Sequence, residues 1–171
     1  NYVISNLFTS SLKTIEARVR FPNQISSGLT GSISTGSIWT INDSGSMRMQ
    51  LNYVKDAITS QTGSLILSSS EGSLVLSGAS IFDNRWYNIA FVRNAQSSSL
   101  GLEVRSIEGD AIDRRLYASG AFTVSSTEQA VWAWLGSTGS IPSQHWMQEF
   151  RVWQDVLSNR ELEDHALNFQ S

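Results

Sequence analysis

The chain has 171 residues, a formal net charge of -3 and a pI near 5.3. Hydrophobic residues make up 40% and charged residues only 16%, against roughly 25% charged in an average soluble protein, so one full core is available and Ser, Thr and Gly supply much of the polar surface. A weakly acidic chain whose one adjacent basic pair is Arg114-Arg115 argues against nucleic acid, the absence of Cys excludes disulfides and thiolate metal sites, and no apolar run approaches the roughly 18 residues of a membrane helix.

In chain order, the first clear strand is Lys13 to Phe21. Ile15, Ala17, Val19 and Phe21 alternate with Thr14, Glu16, Arg18 and Arg20, a period of two with one buried and one wet face. Ser26 to Ser37 is rich in Gly and Ser and reads as a loop. Ile38 to Ile41 is a short strand, closed by the turn residues Asn42, Asp43, Ser44 and Gly45. Met47, Met49 and Leu51 alternate with Arg48 and Gln50 in the next strand. Leu65 and Leu67 mirror Leu74 and Leu76 across Ser69 to Gly72, which predicts a hairpin.

Asp83-Asn84-Arg85 turns into Trp86 to Arg93, which is apolar on both faces and so expected at the centre of a sheet. Leu100, Leu102 and Val104 form its hairpin partner beyond the polar turn Asn94 to Ser99. Asp110 to Arg115 is polar and reads as a loop. Val131 to Leu135 and Met147 to Trp153 are the last strands, with the Gly/Ser/Pro loop Gly136 to Ser143 between them. One helix is expected, from about Asn159 to about Leu167. Ser158 and Glu161 form a capping box, and Leu157 and Leu162 stand in hydrophobic-staple positions. Many short strands with one helix predict an all-β sandwich or barrel as a single domain over residues 1–171. The first residue, Asn1, suggests a processed chain or a piece of a longer one.

Three blocks carry a family resemblance. Thr14-Ile15-Glu16-Ala17-Arg18-Val19 is similar to the opening strand of laminin-G-like and pentraxin-like domains. Trp86-Tyr87-Asn88-Ile89-Ala90 resembles their central strand. Glu149-Phe150-Arg151-Val152-Trp153, followed by Leu157-Ser158 and Glu161-Leu162, resembles their closing signature. The blocks occur in family order and, with Phe8, span Phe8 to Leu162. The resemblance implies a concanavalin-like jelly-roll sandwich of two antiparallel sheets, shared by lectins, adhesion domains, enzyme-appended modules and phage-displayed domains. It implies no single function. The pentraxin calcium loop is missing its ligands. Gly136 to Ser143 holds no carboxylate, and hard cations need several oxygen donors.

No Glu-x-Asp-x-x-Glu run is present. The pairs Glu103 with Glu108, and Asp110 with Asp113, read as strand-edge and loop carboxylates rather than a glycosidase acid and base. His145 and His165 form no zinc-ligand pattern. No Ser sits in Gly-x-Ser-x-Gly beside a His and an acid, and Gly28 to Gly36 lacks the Lys of a phosphate loop.

Aromatics are the stronger class. Trp39, Trp86 and Trp153 are expected in the core. Trp132 and Trp134 share one face of their strand, with Val131, Ala133 and Leu135 on the other. The Trp pair is expected to fill the sandwich. If it faces outward instead, it is a flat platform for sugar rings. Trp146 stands at a polar loop-to-strand junction and is expected to be exposed. Asn42, Asp43, Asp83 and Asn84 are turn tips, suited to bonding sugar hydroxyls and equally ordinary as turn formers. The candidate ligand residues are therefore Asn42, Asp43, Asp83, Asn84, Trp132, Trp134 and Trp146.

The reading is a non-catalytic, lectin-like binding or adhesion module. Its partner is a glycan or protein surface within a larger extracellular or virion-surface assembly. The rival is a structural decoration, spike or fibre domain of a phage or virus particle, with symmetric homo-oligomer contacts; a polysaccharide-active enzyme is the third option. No cofactor or metal is expected. Thermal melts with and without a calcium chelator should coincide, and a drop of many degrees in chelator would expose a metal site, with Asp43 and Asp83 the first suspects.

Overall fold

The structure, a computed structural model, describes residues 2–8, 13–23, 35–43, 46–57, 60–108, 111–123, 130–136 and 144–168. Among them are β1 (Tyr2–Phe8), β2 (Thr14–Arg20), β3 (Thr35–Asp43), β4 (Ser46–Lys55), β5 (Thr62–Ser69) and β6 (Ser73–Ser80). There follow β7 (Trp86–Asn94), β8 (Ser99–Glu108), β9 (Ala111–Ala121), β10 (Ala130–Leu135), β11 (Trp146–Trp153) and α1 (Asn159–Leu167). One sheet has six strands in the order β1-β10-β3-β4-β5-β6, and the other has five in the order β11-β2-β7-β8-β9. The described pairings are antiparallel. The expected two-sheet sandwich with one short helix is what the chain builds.

Alternation explains how the sheets close on each other. In β2, Ile15, Ala17 and Val19 are buried, and their cross-strand partners Phe91, Ile89 and Tyr87 in β7 are buried as well. The six-stranded sheet answers with Trp39, Leu51, Leu67 and Leu74 in one cross-strand row. Trp39 and Phe91 meet between the layers with ring centroids 6.0 Å apart. Each such side chain contributes about 1.5–3 kcal/mol on burial, so a row of this kind outweighs any single surface contact. β7 lies at the centre of its sheet, as its two-sided apolar pattern predicts. Leu65 pairs with Leu76 and Leu67 with Leu74, so the predicted hairpin register holds.

The stretch Asp110 to Arg115 departs from its reading as a loop, because residues from Ala111 belong to β9. β9 is an edge strand with an exposed-to-half-buried alternation along its whole length. Its composition is that of a turn, but β8 beside it supplies the backbone partners, and tertiary pairing overrides local preference. Likewise Thr35 to Ser37, Asn42 and Asp43 are strand rather than loop or turn. β1, which the pattern did not mark, pairs along β10.

The helix is as written in the sequence. Ser158 Oγ accepts from the Glu161 amide at 3.3 Å, and Glu161 Oε2 accepts from the Ser158 amide at 2.7 Å. Leu162 and Ala166 are buried, and α1 lies against β8 and β9. It also covers charge. Glu103 and Arg105 are almost fully buried and paired at 2.8 Å, with Arg115 also on Glu103. Arg105 Nη2 donates to Asn159 Oδ1 at 2.6 Å, which ties this network to the first residue of α1. Thr14, buried in β2, accepts from the Leu157 amide at 3.1 Å and donates to the Asp155 carbonyl at 2.8 Å, fixing the chain between β11 and α1.

These two features rank two substitutions. Ser158→Ala should cost about 1 kcal/mol. Glu103→Gln leaves Arg105 buried without its counter-charge and should cost on the order of 3–5 kcal/mol. Urea unfolding of both variants checks the order; equal midpoints would show that the buried pair holds nothing together.

Candidate functional site

The outer face of the five-stranded sheet carries the residues that β2 turns away from the core. In β11, Met147 packs inward, and Trp146 and Gln148 point out and are exposed. Phe150 and Val152 also pack inward, which a regular strand could not combine with an outward Trp146. The register slips between Gln148, opposite Arg18, and Phe150, opposite Ala17. Glu149 is the extra residue of this bulge, with φ of 62°. That left-handed conformation costs a non-glycine residue about 1–2 kcal/mol. It re-aims the strand so that Trp146 and Gln148 before the bulge and Arg151 and Trp153 after it share one face. Arg151 holds Glu149 at 3.0 Å.

A rung of three residues therefore crosses three strands: Trp146 in β11, Arg20 in β2 and Trp86 in β7. The Arg20 guanidinium carbon lies 4.3 Å from the Trp146 ring centroid and 5.4 Å from that of Trp86. Arg18 reaches the Trp86 ring at 5.8 Å. Guanidinium stacked on indole is stabilised by about 0.5–1 kcal/mol where solvent reaches it, enough to orient the side chains and too little to hold the fold. Trp146 is 49% exposed. The next rung is polar, with Gln148, Arg18 and Asn88 opposite one another.

Beside the rungs lies a narrow recess lined by Glu16, Arg18, Asn88, Glu149, Arg151 and His165. Glu16 Oε2 accepts from Trp153 Nε1 at 2.7 Å and lies 2.8 Å from His165 Nδ1. The Trp153 and His165 rings stack at 4.9 Å. Trp86 and Trp153, expected in the core, are thus half-buried on the outer face. Their alternation partners Tyr87 and Val152 take the inner positions. Trp39 is buried as expected.

The other candidates fall in separate places. Trp134 does not fill the sandwich: Ala133 is buried and Leu135 packs on the core, so Trp134 lies on the opposite, outer face of the six-stranded sheet. It is half-buried opposite Thr40, and its indole nitrogen is buried with no partner among the described residues. Thr40 and Ser37 are buried and 3.2 Å apart through their hydroxyls, and Gln50 donates to Ser37 at 3.3 Å, so these polar groups already engage one another. Asn42 stands opposite Trp132 in β3, whereas the side chains of Asp43 and Trp132 lie outside the described residues.

Asp83 is consumed by its turn. It accepts from Arg85 Nε and from the Tyr87 hydroxyl, each at 2.8 Å, and from the Arg85 amide at 3.2 Å. Burial alone would raise its pKa, but these bonds outweigh it and hold the carboxyl below the usual range. Burial, with the bond to Asp83, pushes the Tyr87 hydroxyl up to about 12. Asn84 is exposed with φ of 65°, and its amide donates to the Phe21 carbonyl at 3.0 Å. Of the candidates whose side chains are described, Trp146 is the one that joins the exposed rung. The alternation marked Arg18 and Arg20 as a wet face, but their position opposite Trp86 and Trp146 depends on pairing between distant strands. Among the described residues no group of three or more His, Asp or Glu side chains is placed to hold a metal ion.

His145 anchors the start of β11. Its ring meets Phe21 at 6.0 Å and Tyr53 at 5.8 Å, and Nδ1 is buried with no partner among the described residues. Burial lowers its pKa from 6.5 to about 4.

No protein-family model matches the chain, and no curated protein matches it. Among solved structures it is similar to the alginate lyase from Klebsiella pneumoniae, with a TM-score of 0.53 and 11% identity over 82% of this chain. The chain spans 58% of that enzyme's length. It is similar to the CBM40 of the Ruminococcus gnavus IT-sialidase, with a TM-score of 0.52 and 12% identity over 97% of both chains. The CBM2 module of the evolved Dit of Lactobacillus casei BL23 phage J-1 has a TM-score of 0.46 and 12% identity over 87% of this chain and 66% of that one. At these identities the likeness concerns the fold alone: a concanavalin-like jelly-roll sandwich of two antiparallel sheets.

The buried His145 predicts an acid-sensitive fold. The folded state keeps it neutral down to about pH 4, and the unfolded chain takes up the proton near 6.5. Between these values the unfolded state binds more protons, so its contribution to stability is full above pH 6.5 and falls as pH drops, by about 3 kcal/mol in all. The urea midpoint should decline from pH 7 to pH 5, and His145→Phe should flatten that slope. An unchanged slope would place the sensitivity elsewhere.

Proposed function

We propose that this chain is a non-catalytic carbohydrate-binding module that holds a glycan against the Trp146–Arg20–Trp86 rung. The observation that carries the reading is an indole 49% exposed on a charged sheet face, its ring held by a guanidinium 4.3 Å away and its strand aimed by a strained bulge. A large apolar surface left in water contributes nothing to folding. The negative π face of an indole attracts the C–H groups on one side of a pyranose, and the neighbouring Gln148, Arg18 and Asn88 offer donors to hydroxyls.

The fold's likeness to a CBM40 module over 97% of both chains supports a binding role for a domain of this size. Two of the four carboxylates first considered as an acid–base pair are engaged by arginines, which supports a non-catalytic role; Asp110 and the side chain of Glu108 lie outside the described residues. Glu103 is engaged by Arg105 and Arg115, and Asp113 by Arg85. The three signature blocks support kinship with laminin-G-like and pentraxin-like domains. They lie in β2, β7 and β11, which are adjacent in one sheet. An adhesive role at an extracellular or virion surface belongs to the same reading.

The test is affinity electrophoresis against a panel of polysaccharides. The wild-type chain should be retarded by at least one of them. Trp146→Ala should weaken that retardation at least tenfold while its thermal midpoint stays close to wild type, since exposed substitutions usually move stability by no more than about 0.5 kcal/mol. No reducing ends should be released on prolonged incubation. Retention by none of the panel would sink the reading, and undiminished binding by Trp146→Ala would move the site elsewhere.

A further inference from the structure

We infer that the glycan taken by this site is anionic, with its charge carried by carboxylates on the sugar rings, as in a polyuronate. The inference rests on the carbohydrate reading above and adds the chemical class of the ligand.

Most of the described arginine side chains are engaged by carboxylates. Arg85 is paired with Asp83 and Asp113, Arg93 with Glu71, Arg105 and Arg115 with Glu103, and Arg151 with Glu149. Arg20 has no ion-pair partner among the described residues, and its Nε is buried without a hydrogen-bond acceptor. Its described contacts are the faces of two indoles. In a chain of net charge -3, this leaves a local positive charge beside an indole that is 49% exposed.

The geometry suits a planar anion. The Arg20 guanidinium lies over both the Trp146 and the Trp86 ring, contacts that restrict its orientation before a ligand arrives. A guanidinium edge presents two parallel donors that match the two oxygens of a carboxylate. Guanidinium is weakly hydrated, so uncovering it for a ligand costs less than uncovering an ammonium. Arg18 projects from the same face two residues away, about 7 Å along the strand, where it also feels the charge of Glu149, so Arg20 is the cation the inference rests on. A neutral sugar placed there would desolvate Arg20 without giving it an acceptor of opposite charge. The patch spans three strands, roughly 10 Å, which suits a short stretch of chain with repeated carboxylates better than one isolated acid.

The probes are polygalacturonate, the same polymer with its carboxylates methyl-esterified, a sulfated polysaccharide and a neutral glucan, each titrated against the whole chain by calorimetry at low and high salt. Polygalacturonate should bind at least tenfold more tightly than its ester, and more weakly in high salt. Arg20→Gln should lose at least tenfold for polygalacturonate and lose less for the ester, so that the preference for the acid over its ester narrows. Arg20→Lys, which keeps the charge and loses the planar fork, should recover only part of the loss. Trp146→Ala, at an exposed position, serves as the second variant if Arg20→Gln folds poorly, and it should weaken both polymers.

Equal affinity for the acid and its ester, or an Arg20→Gln variant that binds the acid as wild type does, would overturn the inference while the carbohydrate reading stands. Preference for the sulfated polymer over polygalacturonate would overturn the carboxylate assignment. Binding to none of the four would remove the reading and the inference together.

Discussion

The two faces of β2 set most of what this molecule is. Ile15, Ala17 and Val19 lock the five-stranded sheet onto the core, and Glu16, Arg18 and Arg20 are thereby committed to the outer face. Because β2 lies between β11 and β7, each of those outward residues stands opposite a residue of both neighbours. Glu16 receives Trp153 and, from α1, His165. Arg20 receives Trp146 and Trp86. A one-residue slip of this strand would bring charge into the core and strip the outer face of every contact described here.

The same outer face is divided into two parts with different physics. At one end α1 covers it, and charges are admitted only because they are paired: Glu103 is shared by Arg105 and Arg115 under Asn159. Buried ion pairs of this kind add little net stability but make removal of one partner costly. They therefore fix where the helix lies. At the other end the face is open and the pairing stops at Arg20. The bulge at Glu149 marks the change. Local strain there is offset by the inward packing of Phe150 and Val152, and the result is an indole directed at solvent.

The site was legible only in pieces. Trp146 could be named because it interrupts a polar junction. Arg18 and Arg20 were visible as the wet half of an alternation, with no sign of what would stand beside them. Trp86 and Trp153 stand in the blocks that resemble the family's signature strands and are expected in the core on that ground, yet Tyr87 and Val152 occupy those positions. In a strand apolar on both faces, composition does not say which set points inward. Trp134 failed in the same way, since Ala133 took the inner place. Asp83, a candidate as a turn tip, is engaged by Arg85 and the Tyr87 hydroxyl, partners that the turn pattern does not announce.

By itself, the sequence determined what depends on neighbours close along the chain. It set the period-two strands, the Leu65 to Leu76 hairpin and the cap of α1, since each is decided by residues a few positions apart. Tertiary structure alone decided that Asp113, Arg114 and Arg115 lie in an edge strand, that β11 carries a bulge at Glu149, and that Trp146, Arg20 and Trp86 form one rung. The bulge and the rung join strands 60 or more residues apart in the chain. Their register is fixed by how two whole sheets share one core, and no local pattern carries that information.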